Sequence, residues 1–337
     1  MDRSRILSSL INYSSILIII IFFILPVAIL FFLNPDSFQL VWEARTPYIL
    51  FVWFFGLEIA LAYRRFKSRV VFEKRILAAI IAMTIPTIYV VATSFWGLNN
   101  VVSELGKSIG VPYLIFGKWF IDVSWPISLE YLVFASSFTL TVVLVYGFYG
   151  LKGFLAAIFF IWSTAIFFIL NTFAPYGIVG ALQVFVPLTT RSAARILELL
   201  GFRTLVGEIS DWRGPGVLLT VMGGNLSFSA AVYWPSAGIQ SLVIYSGMIL
   251  LFIKDTSYSL LRKILYVVVG AMGTFATNIF RIVTIFVVGL KIGNVEASIF
   301  HDNYGELFFI SWIIVYLVLI VYGSSIVNRT RKVLKKH

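Results

Sequence analysis

Apolar stretches of about 20 residues recur along this chain and constrain its fold more than any other feature. Each stretch is long enough to cross the roughly 30 Å hydrocarbon layer of a membrane as a single helix. Only 12% of the residues are charged and 60% are hydrophobic, whereas a soluble domain carries about 25% charged residues. The sequence therefore predicts an all-α polytopic membrane protein.

We expect about eight transmembrane helices from these stretches. They cover residues 10–33, 47–63, 76–96, 129–149, 153–173, 236–253, 264–290 and 307–327. The first is too long for the core of a signal peptide and lacks a small-residue cleavage site, so we expect it to be retained.

Lysine and arginine mark the cytoplasmic loops of such proteins. Here they cluster in residues 64–75, 254–263 and 329–336. This pattern predicts a cell-membrane protein with both termini in the cytoplasm. The net charge of +11 then reflects topology, and we predict no nucleic-acid partner.

A long outer segment, residues 174–235, separates the fifth and sixth predicted spans. Residues 182–202 have apolar side chains at helical spacing, which predicts an amphipathic helix at the outer interface, with a complete span as the alternative. Residues 217–222 and 226–234 are rich in β-forming residues around a Gly-Gly-Asn turn, which predicts a small β-hairpin on the outer face.

Three patches in the second half of the chain place reactive side chains near outer ends of predicted spans. Ser236 begins the sixth span, Arg281 lies in the outer half of the seventh, and His301 falls in the short loop before the eighth. Following the chain from a cytoplasmic N-terminus puts all three at the outer leaflet. We therefore predict a candidate site that faces the outside of the cell.

Serine, histidine and arginine together can carry out acyl transfer. A serine hydroxyl needs a base to become a nucleophile, and histidine is the usual base at neutral pH. The arginine fork can hold a developing oxyanion, and Asn278 lies on the same helix face as Arg281 and can orient it. We therefore divide the chain into N-terminal membrane helices, residues 1–173, and a C-terminal catalytic membrane region, residues 174–337.

Each of these residues also has a structural alternative. Ser236 follows a proline at a helix start and can act as an N-cap, while Arg281 can extend its head group to the interface. His301 and Asp302 can form a surface pair. Glu58, inside the second span, is either a further functional charge or a partner of another helix, and we favour the structural role.

Some kinds of chemistry are excluded or disfavoured by composition. The chain has no cysteine, which excludes disulfides, thiol nucleophiles and thiolate metal sites. His301 is the only histidine besides His337, which disfavours a zinc site because catalytic zinc usually has two or three imidazole ligands. We predict no cofactor and no metal.

The order of the three patches resembles the exosortase/archaeosortase family of multi-pass membrane transpeptidases. In Pro-Ser-Ala-Gly-Ile, Ser236 stands where that family has a nucleophilic cysteine, two residues before Gly238. Asn-Ile-Phe-Arg-Ile, from Asn278 to Ile282, and Phe-His-Asp-Asn-Tyr-Gly, around His301, are similar to the second and third family elements. The resemblance covers about half of the chain, from the fifth span onward.

The resemblance implies catalytic roles for Ser236, Arg281 and His301, supported by Asn278, Gly238 and Asp302. It also implies partners of a defined kind: C-terminally anchored surface proteins with a tripartite sorting signal, made of a short motif, a membrane helix and a basic tail. A membrane lipid bearing an amine is the implied acceptor.

Serine in place of cysteine leaves three explanations open: a natural serine variant, which we favour, an inactive member that only binds its target, or a Cys-to-Ser substitution. Two other classes remain. A rhomboid-like intramembrane serine protease would need a Gly-x-Ser-Gly element, which is missing around Ser236. A transporter would favour internal repeats and polar groups near the midplane, and neither is evident.

Overall fold

The computed structural model describes residues 3–38, 45–66, 75–109, 117–173, 185–211 and 214–334. Within these ranges the chain is mainly helical and contains a three-stranded antiparallel sheet. It groups into two compact units: Met1–Ala174 together with Leu250–Asp255, and Pro175–Ile249 together with Thr256–His337. The predicted division into a membrane half and a catalytic half stays a prediction.

The first unit is built from helices. They are α1 (Arg3–Leu33), α2 (Thr46–Phe66), α3 (Ile76–Phe95), α4 (Leu98–Ser108), α5 (Gly117–Tyr146), α6 (Phe148–Gly153) and α7 (Leu155–Phe173). Phe138 of α5 lies at the centre of an aromatic core, where its ring meets Phe23, Phe51 and Phe55 edge-on at 5.0–5.1 Å. Such close packing holds helices together where lipid removes the hydrophobic driving force.

Glu58 of α2 is completely buried in this unit. Its carboxylate accepts hydrogen bonds from the backbone N–H groups of Ala156 and Ala157 at 2.8 and 3.0 Å, in the first turn of α7. The ammonium of Lys254 donates to the same carboxylate and to the carbonyl of Gly153. Glu58 thus satisfies unpaired amides at a helix start and complements the helix dipole, which is the structural role that the sequence favoured.

The second unit combines helices with the sheet. Its elements are α8 (Phe185–Leu199), β1 (Arg203–Asp211), β2 (Gly214–Gly223), β3 (Leu226–Val232), a 3₁₀ turn (Trp234–Ala237), α9 (Ile239–Ile253), α10 (Leu260–Lys291) and α11 (Asn294–Leu334). The last residues of α9, from Leu250, group with the first unit.

The predicted amphipathic helix is confirmed over Phe185–Leu199. Its buried side chains follow helical spacing: Val186, Thr189, Thr190, Ala193, Ala194 and Leu197. Residues 182–184 lie outside the described residues, and the interfacial position of the helix stays a prediction.

The predicted β-hairpin is also confirmed. β2 and β3 pair from Gly223 and Leu226 at the turn to Val217 and Val232 at the open end. Gly224 in the two-residue turn has φ +62°, the left-handed conformation that tight hairpins favour. β1 pairs with β2 over its whole length and was not predicted.

Helices α10 and α11 form an antiparallel pair around Gly293, whose φ is +143°. A Cβ atom at Gly273 would lie 1.8 Å from the Trp312 ring, so this glycine lets the two helices approach closely. Nearer the turn, Gly305 of α11 lies against the side chain of Arg281.

Four helical stretches of the described residues are long and apolar enough to cross a membrane: Leu77–Phe95, Trp125–Tyr146, Leu260–Lys291 and Asn294–Tyr322. Shorter apolar helices cover Leu17–Leu33, Thr46–Leu61, Leu155–Leu170 and Ile239–Ile253. The helical membrane fold is therefore confirmed, and every predicted span overlaps one of these helices. The count of eight crossings stays a prediction.

Candidate active site

The segment that carries Ser236 follows directly from the sheet. After β3, Tyr233 is still extended, and the 3₁₀ turn then runs from Trp234 to Ala237 with Pro235 as its second residue. Proline suits this place because its fixed φ is helical and it has no N–H to leave unpaired. The N–H of Ser236 donates to the carbonyl of Tyr233 at 3.0 Å, which closes the turn.

Gly238 separates this turn from α9 and has φ +94°. Two constraints require glycine there. An L-residue would be strained at this φ, and its Cβ atom would lie 2.9 Å from both Cγ and Nδ2 of Asn278. The missing side chain therefore lets the amide of Asn278 reach the backbone beside Ser236.

Two side chains of α10 converge on the carbonyl oxygen of Ser236. Asn278 Nδ2 donates to it at 3.1 Å, and Arg281 Nη2 lies 3.5 Å from it. They share a helix face because they are three residues apart. The next carbonyl, that of Ala237, accepts from the hydroxyl of Thr189 at 3.3 Å. The Ser236 segment is thus held by hydrogen bonds from both α8 and α10.

Ser236 is half-buried, and its hydroxyl makes no hydrogen bond to another described residue. The N-cap role considered from the sequence is not seen, because α9 begins at Ile239 and left-handed Gly238 lies between. The structure therefore shows no structural role for the Ser236 hydroxyl among the described residues.

Asn278 is 4% exposed, and its Oδ1 atom has no hydrogen-bond partner among the described residues. Arg281 is half-buried, and its guanidinium lies beside the Ser236 carbonyl. Both side chains, with Gly305, belong to the lining of a narrow cleft between α9, α10 and α11. Its other lining residues are Ser241, Thr274, Thr277, Phe308 and Phe309.

His301 is in a helix, not in the predicted loop. α11 begins at Asn294, so the connection from α10 shrinks to Ile292 and Gly293 and His301 lies in the second turn of the helix. The segment after Gly293 contains no proline, and Glu296 in the first turn complements the helix dipole.

The antiparallel pairing of α10 with α11 determines which residue of α10 lies opposite His301. Gly270 lies against Tyr316, and Arg281 lies against Gly305. Advancing by one residue along α10 therefore corresponds to going back by one residue along α11. The same register puts His301 opposite Ile285, about one helical turn beyond Arg281. His301 and Gly305 are four residues apart and share a face of α11.

His301 Nδ1 lies 2.9 Å from Asp302 Oδ1, with side chains that are 47% and 66% exposed. No hydrogen bond among the described residues joins His301 to Ser236 or Arg281. The structure therefore brings together Ser236, Gly238, Asn278 and Arg281, and leaves His301 with Asp302 one turn away. The contact made by Thr189 was missed, because a threonine on an amphipathic helix carries no distinctive sequence signal.

No group of three or more metal-ligating side chains occurs among the described residues. The second unit offers a hydroxyl on Ser236 and a guanidinium on Arg281 beside the Ser236 backbone, and an imidazole on His301 about one helical turn beyond Arg281 along the α10–α11 pair. These are the groups that acyl transfer uses.

Comparison with known proteins bears on this arrangement. The family model for transmembrane exosortase (Exosortase_EpsH) matches residues 84–318. The matched region runs from α3 into α11 and includes every candidate residue of the site. No curated protein and no solved structure matches the chain.

Proposed function

The chain belongs to the transmembrane exosortase family, and from this we infer that it is a membrane-embedded transpeptidase that processes surface proteins at the outer leaflet. We assign Ser236 as its nucleophile, His301 as its general base and Arg281 as the group that stabilises the oxyanion. The observation that supports the roles of Ser236 and Arg281 is the convergence of Asn278 and Arg281 on the backbone of Ser236.

In the first half-reaction, Ser236 Oγ attacks the scissile peptide carbonyl while His301 accepts the hydroxyl proton. The carbonyl oxygen becomes an oxyanion, which the Arg281 guanidinium stabilises. The C–N bond then breaks as His301 gives its proton to the departing amine.

The products of that step are an ester between Ser236 and the surface protein, and a free fragment made of the membrane helix and basic tail. In the second half-reaction, a lipid amine attacks the ester carbonyl. Its proton returns through His301 to the Ser236 oxygen, and a new amide forms. One amide is broken and one is made, so no redox partner is needed.

His301 must approach Ser236 for this chemistry. Catalytic hydrogen bonds are often long or unformed in a free enzyme and tighten when substrate binds. An exposed imidazole one turn beyond Arg281 and on the face of α11 that carries Gly305 is compatible with such an approach.

The substrates we propose are C-terminally anchored proteins whose sorting signal combines a motif, a membrane helix and a basic tail. An outer-leaflet site suits them, because the motif lies just above its own helix. The family membership also favours this interpretation over the rhomboid-like protease and the transporter.

Co-expression with candidate anchored proteins from the same genome tests the proposal. Intact mass spectrometry of their C-termini is compared for the natural chain, Ser236→Ala, Ser236→Cys and a control, Ser246→Ala. Ser246 lies on α9 and its hydroxyl only donates to the Leu242 carbonyl. We expect loss of the helix and tail and a gain of lipid mass with the natural chain and the control.

Each other result has a distinct meaning. Processing by Ser236→Ala contradicts the nucleophile assignment. Processing by Ser236→Cys alone means that the natural chain binds its target without turnover. A shortened product without lipid means hydrolysis in place of transpeptidation.

A further inference from the structure

The sheet of the second unit has two edges, and they differ in composition. Within the part of the chain that the structure describes, the strand order β1–β2–β3 leaves β1 and β3 each with one unpaired side. β1 carries three charged residues, Arg203, Glu208 and Asp211, and charged side chains on an edge strand discourage pairing with other chains. β3, with the sequence Leu-Ser-Phe-Ser-Ala-Ala-Val, has neither a charged residue nor a proline. Its edge is the unprotected one.

The register shows which backbone groups this edge offers. In a two-residue hairpin the residues that flank the turn, here Gly223 and Leu226, form a hydrogen-bonded pair. Hydrogen-bonded and non-hydrogen-bonded pairs then alternate along the strands. The N–H and C=O groups of Ser227, Ser229 and Ala231 therefore point away from β2. None of these three N–H groups donates to another described residue.

The outward residues are also small and accessible. Ser227 and Ser229 are exposed and Ala231 is half-buried, so another backbone can approach without meeting a large side chain. A strand that binds another chain must also be held in place, and Phe228 anchors β3. Its ring packs edge-on against Phe286 of α10, with the ring centroids 5.3 Å apart, which holds β3 through one face.

β3 leads into the candidate nucleophile. It ends at Val232, four residues before Ser236. A chain that pairs with this edge is therefore delivered to the level of the Ser236 hydroxyl. The edge of β1 has no such connection.

We propose that the free edge of β3 binds the segment of the substrate upstream of the scissile bond as a fourth, parallel strand. This inference rests on the proposed function. Both chains then run towards the membrane: β3 into α9, and the substrate into its own anchoring helix. Main-chain hydrogen bonds supply the affinity in this mode of recognition, and alternate side chains supply the specificity.

The stretch of chain between β3 and Ser236 determines which part of the substrate would pair with β3. Ser227 and Ala231 precede Ser236 by nine and five residues. The chain advances by about 3.3 Å per residue as far as Tyr233 and by only about 2 Å per residue in the 3₁₀ turn that follows, so the paired part of an extended substrate lies roughly four to eight residues before the scissile bond.

The chain has no cysteine, so single cysteines can report this contact by disulfide crosslinking. The receptor is the full chain with Ser236→Ala and Ser229→Cys. The probe is a soluble reporter domain fused to the C-terminal segment of a candidate surface protein from the same genome, with single cysteines at successive positions before its membrane helix. The control receptor carries Val206→Cys, on β1, where the same alternation turns the backbone groups outward.

We expect crosslinking from Ser229→Cys with a period of two along the probe, because alternate residues of a strand lie on opposite faces, and none from Val206→Cys. A flat profile, or equal crosslinking from both strands, overturns the proposal. The experiment needs binding only. A probe that crosslinks with this period but is never processed by the natural chain contradicts the catalytic proposal alone.

Processing rates give a second, independent readout. Ser229→Pro removes one outward N–H and leaves the β2–β3 hydrogen bonds in place, as proline does on edge strands. Ser229→Ala loses the same hydroxyl contact with Thr220 and keeps the N–H. We expect kcat/KM to be at least about tenfold lower for Ser229→Pro than for Ser229→Ala, with Val206→Pro close to the natural chain. Equal rates for the two Ser229 variants, in a chain that processes its substrate, contradict the strand proposal alone.

Discussion

Asn278 donates a hydrogen bond from Nδ2 to the carbonyl oxygen of Ser236 at 3.1 Å, across 42 residues of sequence. The contact exists because Gly238 has no side chain in the space that the amide occupies. Gly238 and Asn278, which come from two separate sequence patches, thus act together to fix the backbone of Ser236. In the mechanism proposed above, the precision of this placement would govern how Ser236 Oγ approaches the substrate carbonyl, since misplacement of a reacting group by about 1 Å can cost 100-fold in rate.

Gly238→Ala should disrupt this arrangement, and Gly224→Ala provides the matched control. Both glycines have positive φ, +94° and +62°, but a Cβ atom at Gly224 meets nothing within 4 Å. We expect Gly224→Ala to cost about 1–2 kcal/mol of stability from φ alone, and Gly238→Ala to cost about 1–3 kcal/mol more from overpacking. Thermal unfolding in lipid nanodiscs measures the difference. Equal losses would show that the Asn278 contact imposes no constraint.

Asn278→Asp tests the amide itself. The substitution keeps the size but places a carboxylate oxygen against the Ser236 carbonyl, and the new charge draws Arg281 away from it. We expect processing to fall by about tenfold or more, since a lost buried hydrogen bond costs about 1–3 kcal/mol. Thr284→Val, on an exposed turn of the same helix, should have no effect. Unchanged processing by Asn278→Asp would contradict a positioning role.

The elements that the sequence predicted well are those specified by local chemistry. The β2–β3 turn needs a residue with positive φ, and Gly224 supplies it. α8 follows from apolar residues at helical spacing, and the grouping of Asn278 with Arg281 follows from three-residue spacing on a helix. In each case the signal lies within a few residues of the feature it predicts.

The two elements that were missed have different causes. β1 mixes Gly207 with charged residues and becomes a strand by pairing with β2. The loop predicted around His301 is helical because α11 continues back to Asn294, and Gly305, which reads as a helix breaker, packs against Arg281. Pairing with β2 decided the first outcome, whereas the second follows from a proline-free segment with Glu296 in the first turn of α11.

If His301 is the general base, replacing it should slow processing more in the natural chain than in the Ser236→Cys variant. A serine nucleophile depends on a base, whereas a cysteine thiol needs little assistance. His301→Gln should therefore lower processing by about 100-fold or more in the natural chain, and by clearly less in Ser236→Cys. Single-turnover rates for the four variants measure this coupling. Identical losses in both backgrounds would remove His301 from the proton transfer.

Asp302 should matter much less than His301. Both side chains of the pair are about half exposed or more, and exposed ion pairs contribute only about 0.2–1 kcal/mol. We expect Asp302→Asn to lower processing by no more than about fivefold. The same rate assay measures it, and a loss as large as that of His301→Gln would show that the carboxylate is needed to orient the imidazole.

Substitutions in the buried pair of Glu58 and Lys254 test whether Glu58 has a structural or a functional role. Their side chains are 0% and 3% exposed, so removing one partner leaves a buried charge without its counterion. Glu58→Gln and Lys254→Met should each destabilise the protein by about 3–5 kcal/mol, and the double variant by less than their sum. Lys107→Met, which breaks the exposed pair with Glu104, should cost at most about 1 kcal/mol.

Thermal unfolding in nanodiscs measures these losses, and processing well below the unfolding temperature gives the decisive comparison. If Glu58 serves only to cap α7 and to pair with Lys254, the single variants keep their rate at low temperature and lose it on heating. A rate that falls at low temperature while thermal stability is unchanged would instead make Glu58 a functional charge. The buried carboxylate would then have to act in the reaction, and its hydrogen bonds to Ala156 and Ala157 would be incidental.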